Sequence, residues 1–407
     1  MMLETKSQGE GSERRSRRVV AGLTLSLALV GSWAVAPRWL RPAEARAGER
    51  PAVLEGARRV PLAPKPGWSI SGVWSEDGRS LLLVDAVRSR VLEYSPDGEL
   101  QRQHTVPIEG ATVFSRPSWI RPWPGGYIVE QEDAGFVTVT SKFEAREGFD
   151  LMEAVRGTDL ENVAVFLWAP LSSDDLLAFG DVQRASGEWT SGLLRVRLSH
   201  PPRVELVTEV QGDPGDLDMY LVGLQYLTSL DGRGYFVEMS ETPPNLVEVH
   251  PEEDGSTTVR RVPVFSESSR GGQPFLRPHL SELEAVNQVP GMFAEIERSF
   301  MVSGIYGWEG RLYLLIRRPR RGVEGSTWSL TRIDPETGAT SGRIDLPTTA
   351  PHVTLIPGPE SWAVLEKGRV QGFGQQDIPT LLLIPSSTFR SERAWNDPAR
   401  SEPVRDQ

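Results

Sequence analysis

Four carboxylates recur in one context along this chain. Asp85 ends the apolar run LLLVD, Glu130 stands in YIVEQ, Asp181 follows LLAFG and Glu238 stands in YFVEM. A carboxylate at or near the end of a buried strand can contribute to a cation site, because hard ions such as calcium take oxygen ligands. It can equally grip a basic ligand. Arg317, Arg318, Arg320 and Arg321 offer the opposite chemistry, a basic cluster whose guanidinium forks match carboxylate, phosphate or an anionic envelope polymer. The five histidines show no H-x-H or H-x-x-x-H spacing, so zinc chemistry has no support. Of the five, His352 and His279 are the candidates for a channel mouth, and His352 sits where a strand begins. The chain has no cysteine, which removes disulfides, thiolate nucleophiles and lipoprotein acylation. Gly-x-Ser-x-Gly is also missing. No cofactor is expected, with calcium the one ion the carboxylates would suit.

These residues need strands to position them, and the stretch from Trp68 to Ile108 supplies the pattern. It reads as four strands, Ile70–Trp74, Leu81–Asp85, Arg90–Tyr94 and Gln101–Ile108, joined by SEDGR, AVRS and SPDGE. Runs of Val, Leu, Ile and Tyr bounded by Asp-Gly pairs are the hairpin signal. One such sheet cannot cover both of its faces, so it must recur. Matching turns fall at Asp77-Gly78, Gly125-Gly126, Asp174-Asp175, Asp231-Gly232, Glu309-Gly310 and Gly358–Ser361, mostly about 50 residues apart. The strand after each turn is almost continuously apolar, as strands covered on both faces are.

The outer strand repeats as well. TVRRVPVF at Thr258–Phe265 and SGRIDLP at Ser341–Pro347 share an ending with ARRVPLAP at Ala57–Pro64, which precedes the first full unit. The last unit stops after its third strand, Thr380–Ile384. Ala57–Leu62 is therefore expected to supply the missing outer strand and close a ring, which removes the open sheet edge.

LLLVDAVRSRVLEYSPDGEL resembles a repeat of the NHL type found in six-bladed β-propellers. Val84-Asp85, Arg90-Val91, Tyr94 and Pro96-Asp97-Gly98 carry the resemblance, with Ser89 in place of the usual Asn. It covers one unit, and the other five follow by strand pattern. The expected fold is an all-β, six-bladed β-propeller from Leu54 to Ile384. A small helical insert (266–303) falls between blades 4 and 5, with helices at Leu280–Val289 and Gly291–Phe300. Propellers of this kind include binding scaffolds, lactonases, lyases and sensor domains, and the fold does not choose among them. Metal-dependent lactonases of the class gather Glu, Asn and Asp at the axial channel. The inner strands expected here begin at Trp68, Ser69, Trp119, Phe166, Tyr226, Ile305 and His352, with no carboxylate series.

Connections between first and second strands, and between third and fourth, are short. The opposite face carries the long ones: Asp150–Asn162, Asp181–Thr190, Gln211–Met219, Met239–Asn245, Arg317–Thr327 and Lys367–Pro379. Long loops on a rigid scaffold are where function concentrates. The expected role is a binding module whose long-loop face meets a protein, peptide or envelope glycan. The alternative is a divalent-cation-dependent hydrolase, lactonase or lyase at the channel mouth.

Residues 1–18 form a basic leader to the apolar run 19–36, which reads as a signal peptide or a membrane anchor. Residues 37–53 read as a linker and 385–407 as a disordered tail. Either reading of 19–36 places the body outside the cytoplasm: periplasmic, secreted or membrane-anchored. The formal net charge is −11, and an acidic body argues against nucleic-acid partners.

Overall fold

A computed structural model describes residues 54–67, 71–105, 117–131, 135–156, 158–210, 225–238, 243–252, 254–266, 301–319, 326–367 and 380–395. Six sheets of antiparallel strands stand in a ring, with four of them in sequence order from the axis outward; the fifth gains the short strand Phe265–Ser266, parallel to Ala339–Leu346, at its outer edge, and the sixth takes its outer strand from the start of the described chain. Blades 1 to 5 begin with the inner strands Gly72–Trp74, Pro117–Trp123, Leu160–Pro170, Leu227–Leu230 and Met301–Trp308. Blade 6 comprises His352–Ile356, Ser361–Lys367 and Thr380–Pro385, completed by Arg58–Val60 from the other end of the described chain. The closing register is Arg58↔Leu383, Arg59↔Leu382 and Val60↔Leu381, as the repeated outer-strand string requires.

The second strands explain the packing. In Leu81–Asp85 every side chain is buried, because alternate residues face opposite neighbours. Leu81 and Leu83 pack with Leu365, Leu381 and Leu383 of blade 6. Leu82 and Val84 pack with Ile120, Tyr127 and Val129 of blade 2. A blade thus has no solvent face, and the apolar runs read from sequence follow directly.

At the rim each blade leans on its successor. His104 of blade 1 stacks at 4.2 Å on Phe143, in the turn before the fourth strand of blade 2. Phe149 of blade 2 stacks on His200 in the corresponding turn of blade 3. Arg195 and Arg197 of blade 3 donate to the Gly255 carbonyl in that turn of blade 4, at 3.1 and 2.9 Å. Gly338 in blade 5 (φ +73°) lies so close to blade 4 that a Cβ there would stand 2.2 Å from the Pro263 carbonyl oxygen, so no side chain fits. Gly98 in blade 1 (φ +82°) stands in the same relation to Pro61, which follows the closing strand. The shared Val-Pro ending of ARRVPLAP and TVRRVPVF marks this handover.

Blade 6 has no such turn, because the first and last strands of the ring meet there. Helices Ser386–Arg390 and Glu392–Trp395 take its place, with Phe389 and Trp395 buried. Phe389 lies 4.4 Å from the Trp362 ring, and Trp395 rests against Gly342 of blade 5. Disorder from residue 385 onward is therefore corrected for 386–395, where two aromatic anchors hold the chain down. Two further boundaries differ from expectation. The strands of blade 3 extend to Arg184 and resume at Trp189, so Asp181–Thr190 is mostly hairpin. In blade 5 the second strand reaches Pro319 and the third begins at Ser326, which shortens Arg317–Thr327 likewise. Inner strands also start at other residues than expected in most blades, Leu160 in place of Phe166 being the largest difference. The two helices expected in the insert lie outside the described residues, as do 1–53, including the apolar run 19–36, while the insert's expected ends, 266 and 301–303, are strand. Among the described residues no helix is long and apolar enough to cross a membrane.

Candidate functional site

The ladder places the nominated carboxylates at related heights in successive blades, and each has its own partner. Asp85 is fully buried, and its Oδ2 accepts from Arg88 Nη1 and Arg90 Nε, both at 3.1 Å. Among the described residues its Oδ1 has no hydrogen-bond partner. Glu130 Oε2 accepts from the Trp168 indole at 2.8 Å, which ties blade 2 to the inner strand of blade 3. Asp181 lies within its strand rather than at the end, opposite Ala164 and Ser191. Its Oδ1 accepts from Ser191 Oγ at 2.7 Å. Burial pushes the Asp181 carboxyl above the usual range, against the pull of that bond. Glu238 is buried and accepts from Arg261 Nε at 3.3 Å.

Sequence reasoning passed over a fifth carboxylate, Glu366, although WAVLE ends in it much as LLLVD ends in Asp85. Glu366 receives Arg59 Nη2 at 2.9 Å and Nε at 3.1 Å, and also the Thr380 hydroxyl. Burial raises its pKa, but the bonds from Arg59, Thr348 and Thr380 outweigh that and leave it lowered. This clasp fastens the closing strand to the two strands beside it. Blade 5 carries Arg317 at the corresponding place.

Arg317 was expected at the start of a long connection, in a basic cluster open to an anionic ligand. It is instead fully buried, because its strand continues past it and pairs it with Trp328 and Met301. Arg318 is half-buried, and burial with the nearby Arg343 pulls its pKa down to about 10. Arg320 and Arg321 lie outside the described residues, as does His279. His352 is buried at the start of the blade 6 inner strand, opposite Lys367. The nominated carboxylates that the structure describes therefore each have a partner of their own. Among the described residues no three of His, Asp or Glu come close enough to share a metal ion.

The ring axis holds what the sequence did not single out. A cavity of about 390 Å³ is lined by the inner strands of all six blades, near the ends that lead into the short turns. Val73, Leu227, Leu355 and Ile356 give it apolar walls, and Ser229, Thr228 and Gln225 add polar groups. Arg121 is the one charged residue in the lining among the described residues. Its guanidinium sits 4.9 Å from the Trp119 ring centre, a cation–π contact. Desolvation pulls its pKa down to about 10, against the opposing influence of Tyr306 and Glu130. Tyr306 lines the same cavity, and burial pushes its hydroxyl above the ordinary tyrosine range. The sequence signal was WIRPW, an inner strand carrying an arginine where its counterparts carry apolar or small residues.

This architecture makes the protein a six-bladed β-propeller. No family model matches the chain, and no curated protein matches it. Solved structures do. A member of the DUF4221 family from Bacteroides vulgatus aligns over 82% of this chain and 96% of its own, with 13% identity and a TM-score of 0.52. A gluconolactonase from Xanthomonas campestris aligns over 86% and 99%, with 14% identity and a TM-score of 0.43. Regucalcin, a calcium-binding protein from Agrobacterium tumefaciens, aligns over 80% and 92%, with 13% identity and a TM-score of 0.42. Likeness at such identities is a likeness of fold alone.

Proposed function

We propose that this propeller is an extracytoplasmic binding module, released or tethered through residues 19–36, rather than a cation-dependent hydrolase. One observation carries the choice. Each carboxylate that a channel-mouth cation would need has at least one oxygen engaged in a fastening of its own: Asp85 Oδ2 with Arg88 and Arg90, Glu130 with Trp168, Glu238 with Arg261, and Glu366 with Arg59. Recruiting those oxygens for a metal would break the fastenings, at a cost set by the burial of the carboxylates. The long connections expected from sequence, among them Gln211–Met219, Met239–Asn245 and Lys367–Pro379, are the segments that would meet a protein, peptide or glycan.

The test is a thermal-shift series on the full chain with calcium and zinc, alongside a peptide and glycan binding screen. The module reading expects no metal-dependent shift. It also expects a screen signal that disappears when residues 212–217 are replaced by a Gly-Ser linker. A calcium or zinc shift that Asp85→Asn or Glu130→Gln abolishes would reverse the choice. Export is tested by fusing residues 1–50 to a reporter active only outside the cytoplasm.

A further inference from the structure

We propose that the axial cavity is a binding site for a small monocarboxylate with an apolar body, held by Arg121. The site lies at the axis near the short turns, so it is independent of the long-connection reading above.

The argument begins with how the other arginines are used. Arg195, hardly exposed, is locked by Asp175 at 2.7 and 3.2 Å. Arg59 is held by Glu366, Arg90 by Asp85 and Arg261 by Glu238. Arg332 is held by Glu392 at 2.6 Å. Arg121 differs from all of them. Among the described residues it has no hydrogen-bonded carboxylate, and its sole direct partner is the Trp119 ring. The nearest acidic influence is Glu130, whose Oε2 is engaged by the Trp168 indole. The guanidinium is half-buried and rests on Trp119 with no carboxylate bound to it among the described residues, so its desolvation cost is only partly returned. An anion arriving in the cavity would return it, through charge-assisted bonds strengthened by the low local dielectric.

The walls specify the rest of the ligand. A single guanidinium matches a single negative charge, and among the described residues no second cation lines the cavity to meet a dianion. At about 390 Å³ the space is far larger than a water or an inorganic anion needs and falls in the small-molecule range. Val73, Leu227, Leu355 and Ile356 would then cover an apolar body, with Ser229 and Gln225 among the polar groups of the lining. Trp119 keeps the guanidinium plane in place and reduces the side-chain entropy lost on binding.

The experiment titrates the full chain with benzoate and phenylacetate by calorimetry, with benzyl alcohol and inorganic phosphate as comparison probes. Benzoate or phenylacetate should bind at least tenfold more tightly than either comparison. Arg121→Gln should weaken that binding on the order of ten- to a hundredfold, while melting no lower than the parent, since it removes an unpaired charge. Arg121→Lys should recover part of the affinity. Ser229→Phe, which fills the cavity from a half-buried position and keeps the guanidinium, should also abolish binding. It decides the matter if the Gln variant does not fold. The proposal is overturned if both carboxylates bind no better than benzyl alcohol, if phosphate binds better than either, or if Arg121→Gln or Ser229→Phe binds like the parent.

Discussion

A covalent bridge between the first and last strands of the ring tests the closure directly. The chain has no cysteine, so the double variant Val60→Cys/Leu381→Cys has no competing thiol. The two positions face each other in the closing register, and both are buried. The bridge would close a loop of about 320 residues, for which chain entropy gives about 5–6 kcal/mol as an upper figure, and real bridges deliver roughly 2–4. With an unfolding entropy of about 2.1 cal/mol/K per residue over about 330 ring residues, 3 kcal/mol corresponds to roughly 4 °C. Comparing oxidised with reduced protein of one sequence cancels the packing lost in the two substitutions. The expected result is quantitative loss of free thiol and an oxidised form that melts roughly 3–6 °C higher. The control Val60→Cys/Leu382→Cys points its second thiol to the other face of the sheet and should stay reduced. Oxidation of the control but not the matched pair, or identical melting of the two redox forms, would refute the closure.

Three further outcomes are expected. Phe389→Ala should cost about 3–5 kcal/mol in urea unfolding, the loss of a fully buried aromatic; a change under about 1 kcal/mol would mean that the helix pair is not docked. Glu392 is held at about 2 by hydrogen bonds from Arg332 and Arg311. Because its folded pKa lies below its unfolded value, its contribution is whole above about pH 4.5 and gone below about pH 2. Trp395 fluorescence followed from about pH 5 to about pH 2 should report loosening of the last helix, and Glu392→Gln should remove that part of the profile. Asp181→Asn should leave stability at neutral pH unchanged or raised, since burial disfavours the charge while an amide oxygen keeps the Ser191 bond. For the parent, a raised folded pKa means that this group's contribution falls as pH rises past about 4, and a clear destabilisation by Asp181→Asn would contradict that.

The ring was legible in the chain because its signals are local and repeated. Asp77-Gly78 and its counterparts mark the turns, LLLVD and its counterparts mark strands covered on both faces, and ARRVPLAP matches TVRRVPVF closely enough to give the closing strand. What stayed hidden depends on tertiary company. Gln183–Arg184 and Trp189–Thr190 extend a hairpin with mostly polar, solvent-facing side chains, so ladder pairing forms it without an apolar pattern. Helices Ser386–Arg390 and Glu392–Trp395 are too short to stand alone and exist because Phe389 and Trp395 find a seam between blades 5 and 6. At the candidate site the residue types were readable, but the allegiances were not. Asp85, Glu130 and Glu238 looked available until their partners were placed, and Arg121 looked ordinary until its isolation was.

The leaning of each blade on the next also dictates when the circle can be finished. Arg59 and Glu366 are 307 residues apart, and the segment that substitutes for the missing turn of blade 6 comes later still. A ribosome making this chain releases the opening strand long before its partner exists. Five wedges can form in the meantime, yet the hoop stays slack until Leu381–Trp395 emerges, so the opening strand must wait, unpaired, for nearly the whole of the ring's synthesis.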